Sequence, residues 1–82
     1  MKYSGSTTGH KFRPTQAQDA EHAAYIFARR LARKWYGSNG AIIGPCQDFH
    51  RPNVYDAIVY HYRKGCQDCI DVRITVRAED AT

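Results

Sequence analysis

The clearest pattern along the chain is an apolar stripe at helical spacing. Ala20, Ala24, Phe27, Leu31 and Trp35, flanked by Ala23 and Ala28, recur every three or four positions and fall on one side of a helix. The spacing predicts a helix that turns these residues toward a core. Pro14 breaks the preceding segment, and Thr15-Gln16-Ala17-Gln18 has the form of a capping box, which sets the start at Thr15. Gly37 supplies the left-handed residue that commonly ends a helix, so the element is expected over residues 15–36.

After the turn-rich Ser38-Asn39-Gly40 the period changes from helical to alternating. Three strand-like segments follow, over residues 41–49, 54–63 and 69–77. Pro45 places the first at a sheet edge or a bulge. The second is rich in β-branched and aromatic residues, and its Tyr55, Tyr60 and Tyr62 read either as an aromatic platform or as partly core. The third alternates most clearly, with Ile70, Val72, Ile74 and Val76 on one face and Asp71, Arg73, Thr75 and Arg77 on the other. Residues 1–13 read as an N-terminal strand or hairpin and residues 78–82 as a frayed tail. The expected fold is therefore α+β in the order β-α-β-β-β, one amphipathic helix on a small antiparallel sheet, the last three strands a meander. An 82-residue chain has room for one such domain and one modest core.

Charge sharpens the picture. Twelve Lys and Arg against eight Asp and Glu give a net charge of +4, which favours anionic partners. No run approaches the roughly 18 apolar residues of a membrane span, and Met1-Lys2-Tyr3-Ser4-Gly5 lacks the apolar segment of a signal peptide, so a cytoplasmic protein without membrane association is expected. An odd number of cysteines, three, fits thiols or a metal site in a reducing compartment better than a secreted disulfide framework.

The outer helix face carries His22, Arg29 and Arg33, flanked by Arg30 and Lys34, with Tyr25 and Tyr36 on the same side. Guanidinium groups beside exposed rings can contact phosphates, stack on bases or grip carboxylates on a protein. Tyr25, Arg29, Arg30, Arg33, Lys34 and Tyr36 are thus the candidate partner-binding set. The same charge order, Asp19 and Glu21 early and Arg29 to Lys34 late, is also what the helix dipole favours on a merely solvated face.

Cys46-x3-His50 followed by Cys66-x2-Cys69 supplies four ligands of the chemistry that tetrahedral zinc requires. The set forms a site only if the meander brings the end of its first strand beside the turn before its last. Cys46 and His50 would share a strand face by period two. Ordinary thiols and a surface histidine explain the same residues, and zinc is the one cofactor the pattern raises. For catalysis, His10, His22, His50 and His61 stand singly, with no Walker loop, nucleophile elbow, H-E-x-x-H or paired-carboxylate pattern, so no enzyme activity is expected. Gly5, Gly9, Gly37, Gly40 and Gly44 match no phosphate-binding fingerprint, and turn chemistry is their simplest reading.

In size and plan, the helical segment Ala23-Ala24-Tyr25-Ile26-Phe27-Ala28-Arg29-Arg30-Leu31-Ala32-Arg33-Lys34-Trp35-Tyr36-Gly37 with the strands after it resembles the small phage-encoded anti-CRISPR proteins, particularly inhibitors of type I surveillance complexes. The resemblance covers most of the chain as architecture and pattern, and no family residue transfers by position. It implies a non-enzymatic inhibitor in the cytoplasm of a bacterial host, monomeric or weakly dimeric, that binds Cas subunits along the path of target DNA and blocks its recognition. The residues alone also accommodate a small basic nucleic-acid-binding protein, with or without structural zinc.

Overall fold

A computed structural model of the protein describes residues 1–79, the side chains of Cys66 and Asp68 excepted. Five strands and one α-helix follow in chain order, with 3-10 turns at Gly37–Asn39 and Gly65–Asp68: strands β1 (Lys2–Thr7) and β2 (His10–Gln16), helix α1 (Ala20–Tyr36), then β3 (Gly40–Gln47), β4 (Val54–His61) and β5 (Ile70–Ala78). All strand pairs are antiparallel, in the sheet order β2-β1-β5-β4-β3. The α+β arrangement expected from the pattern is present, with the N-terminal β unit realised as a hairpin and the last three strands as a meander. Because β2 and β3 form opposite edges, the chain between them must cross the sheet, and α1 makes that crossing over one face.

Alternation decides what each strand buries. Val72, Ile74 and Val76 of β5 and Tyr55, Ala57 and Val59 of β4 face the helix and are buried, as are Tyr3 of β1 and Phe12 of β2. From the helix, Ala23, Ala24, Phe27, Ala28, Leu31 and Ala32 meet them. Four of these six are alanines, so the backbone of α1 lies close to the sheet. Gly40 reflects this, since a Cβ there would collide with the Ala32 carbonyl. Close approach, and not turn chemistry, therefore explains Gly40, and also Gly5, which faces the Phe27 ring.

The helix begins later than the sequence suggests. Thr15 and Gln16 lie in β2, opposite Tyr3 and Lys2, and Pro14 is accommodated because β2 is an edge strand with a shifted register beside it. Asp19 is the N-cap: its carboxylate accepts a 2.8 Å hydrogen bond from the His22 N–H. The buried stripe also ends earlier than expected, at Ala32. Trp35 is 42% exposed instead of buried. Tyr36, expected outside, is half-buried and meets His61 edge-on at 5.6 Å between ring centroids. Gly37 ends the helix with φ 61°, its N–H donating to the Arg33 carbonyl. Ala78, read as tail, belongs to β5, and the Glu79 N–H still donates to Lys2 O at 2.8 Å; residues 80–82 lie outside the described residues.

Candidate binding surface

The capped start and the buried stripe fix the rotation of α1, and so fix what points away from the sheet. Arg29 and Arg33 lie one turn apart, about 6 Å along the axis, on the exposed side. Lys34 is exposed on the flank facing the β1–β2 turn. The ion pairs among the described residues, Lys2 with Glu79 at 3.9 Å and Arg73 with Asp56 at 3.0 Å, engage none of the helix cations. Asp19 and Glu21 stand at the opposite end of the helix, so the C-terminal half presents positive charge without a compensating carboxylate on its own face.

Arg30 differs from its neighbours. Its Nη1 donates to the Arg13 carbonyl at 2.6 Å, and its guanidinium carbon lies 5.5 Å from the Phe27 ring centroid. It ties the helix to edge strand β2, although its side chain remains exposed. Tyr25 is 42% exposed and borders, with Arg29, Arg30 and Arg33, a shallow groove of about 320 Å³ that runs to Gly37 and Gly40. Of the six candidate residues, Tyr25, Arg29 and Arg33 therefore share one surface and Arg30 closes its side. Lys34 looks toward the β1–β2 turn, and Tyr36 is occupied against His61.

The face of the sheet away from α1 has no layer covering it. Asp56 and Ile58 of β4, Asp71 and Arg73 of β5, and Ile43 and Cys46 of β3 border an open depression of about 600 Å³ there. The Arg73 Nε donates to Asp56 Oδ1, and this carboxylate holds the guanidinium more firmly protonated than usual. The alternation of β5 marks this face as wet; that β4 and β3 add Ile58 and the half-exposed Ile43 to it was hidden, because β-branched residues on both faces of β4 mask which side is covered.

The thiols and His50 are dispersed. Cys46 sits in β3 opposite Asp56, whose partner in β5 is Arg73. His50 lies beyond the end of β3, stacked edge-on with Phe49, and so does not share a strand face with Cys46. Cys69 precedes β5 by one residue, four positions from Arg73, or about 13 Å along the strand toward the opposite end of the sheet. The Cys66 side chain lies outside the described residues. Among those described, no three His, Cys, Asp or Glu side chains converge in a metal-binding group. No described helix is long and apolar enough to cross a membrane. Comparison of the chain with protein-family models, with curated proteins and with solved structures finds no match.

Proposed function

We propose that the protein is a non-enzymatic interaction protein that docks on an anionic surface of a nucleic-acid-handling complex through the outer face of α1. The observation that carries this reading is the pair Arg29 and Arg33, exposed one turn apart with no carboxylate partner among the described residues, beside the half-exposed Tyr25. The planar guanidinium fork loses less freedom per hydrogen bond formed than a lysine ammonium would, and a flanking aromatic ring adds contact area at small entropic cost. Arg30 braces the surface from below by its bond to Arg13. Inhibition of a type I CRISPR surveillance complex, in the manner of the anti-CRISPR proteins that the architecture resembles, is the specific form of this proposal.

Direct binding of DNA or RNA is the second reading, favoured by the same unpaired charges. Salt separates the two. A protein interface with a few charged contacts weakens modestly as salt rises, whereas phosphate binding falls steeply on a log–log plot. The test is a fluorescence-anisotropy titration of the 82-residue chain with mixed-sequence single- and double-stranded DNA and RNA at about 0.15 M salt. Docking on a protein predicts weak association. Tight association with a steep salt slope would transfer the function to direct nucleic-acid binding.

A further inference from the structure

The sheet has a gap in its interior. The Glu79 N–H donates to Lys2 O and the Val76 N–H to Asn53 O, each at 2.8 Å, so odd-numbered residues of β5 turn their main-chain groups toward β1 and even-numbered ones toward β4. On the β4 side pairing is complete from Val54↔Thr75 to Val59↔Ile70. On the β1 side it stops at Ser6↔Thr75, because β1 ends at Thr7 and the chain turns into β2. Thr7 Oγ1 donates to the Arg73 carbonyl at 2.8 Å and closes one site. The Arg73 N–H and both main-chain groups of Asp71 point into the gap beyond it and meet no strand.

This gap opens into a cleft of about 450 Å³ with Leu31, Lys34 and Trp35 of α1 on one side and the β1–β2 turn with His10 on the other. Its apolar lining is partly exposed: Trp35 is 42% and Ile70 40% accessible. The outer edges of the sheet are protected by contrast. The β2 edge carries Lys11, Arg13 and Pro14, and the β3 edge is interrupted by the irregularity between Ile43 and Cys46 that contains Pro45. Open strand edge and exposed apolar side chains therefore coincide at this internal slot.

We propose that the slot accepts an extended peptide segment of a partner protein by strand addition to Ile70–Arg73, with an apolar peptide side chain against Trp35 and an acidic one at Lys34. The open stretch, four residues, is about 13 Å long, which matches a short linear segment and not a second folded sheet. Charge favours an acidic peptide residue at Lys34, the exposed cation on the α1 side of the cleft, since the Arg73 guanidinium is paired with Asp56 on the other face of the sheet. The proposal is independent of the arginine surface, with which the cleft shares no lining residue.

Trp35 is the one tryptophan in the sequence and reports directly on the slot. The test is selection of a random octapeptide display library on the intact protein, followed by titration of the enriched synthetic peptides while tryptophan fluorescence and amide exchange are followed. Enrichment of sequences pairing an apolar with an acidic residue, a shift of Trp35 emission, and slowed exchange of the Asp71 and Arg73 amides are expected. Trp35→Ala and Lys34→Glu should each weaken binding at least about tenfold, a loss of ~1.4 kcal/mol, while Arg29→Glu/Arg33→Glu leaves it unchanged. Absence of enrichment, or peptide binding indifferent to both slot variants, would overturn the proposal. So would a concentration-dependent dimer that gives the same Trp35 signal without peptide, since a second copy would then be the occupant.

Discussion

The Phe27 ring lies over the bare Cα of Gly5: a Cβ built on Gly5 would stand 2.5 Å from Phe27 Cε2. Phe27 is fully buried and stacked on Phe12 at 4.7 Å between centroids, so the ring has nowhere to retreat. Gly5→Ala should therefore destabilise the fold by about 2 kcal/mol through overpacking, read as a lower urea midpoint at unchanged m-value. In the Gly5→Ala/Phe27→Leu double variant the two losses should sum to less than their separate values, because the smaller side chain vacates the space. Additive losses would mean that the two residues do not compete for it.

Asp19 satisfies one of the free N–H groups at the start of α1 and places a negative charge at the positive end of the helix dipole. Asp19→Ala should cost about 1 kcal/mol and Asp19→Asn much less, measured by thermal or urea unfolding. Thr15→Ala, at the position the sequence suggests as the cap, should change stability little, since Thr15 lies in β2.

Burial pushes the Tyr55 phenol above its ordinary pKa, and the charges of Glu21 and Asp19 push it further in the same direction. The folded state thus holds this proton more tightly than the unfolded chain. As pH rises past the ordinary tyrosine value near 10, the unfolded state ionises first and stability falls. Below that value the shift has no effect on stability. Unfolding midpoints measured from about pH 8 to about pH 11 should decline less steeply in Tyr55→Phe than in the unchanged protein, and identical slopes would contradict the assignment.

Arg30 and its neighbours should separate experimentally. Loss of the bond to the Arg13 carbonyl and of the contact with Phe27 predicts that Arg30→Ala lowers stability by roughly 1 kcal/mol. Arg29→Ala and Arg33→Ala, whose side chains reach no partner among the described residues, should leave the melting temperature nearly unchanged.

Much of this architecture is legible in the residues because periodicity reports burial. The alternation of Ile70 to Arg77 and the stripe through Ala24, Phe27 and Leu31 state which faces meet. What escaped is decided by contacts distant in sequence. Nothing near Pro14 tells that β1 pairs with β2 as far as Gln16, so the proline reads as a breaker and Thr15 as a cap. Trp35 has the right phase for the core, but it borders the cleft where the pairing of β5 with β1 has stopped, and that depends on where the β1–β2 turn falls. For the same reason Tyr36 finds His61. The positions of Cys46, His50 and Cys69 follow from strand direction: β3 and β5 run the same way with β4 between them, so the end of one and the start of the other lie at opposite ends of the sheet. Arg29 and Arg33 were readable from helical phase alone, because the exposed side of an amphipathic helix needs no tertiary information.

The outer face of α1 carries the proposed function. The decisive measurement compares nuclease-treated capture of binding proteins from a bacterial lysate by the unchanged chain and by Arg29→Glu/Arg33→Glu, with melting temperatures recorded for both. Loss of the captured proteins at an unaltered melting temperature is the predicted result. Capture that persists undiminished after charge reversal would contradict the claim that this helix face binds the partner.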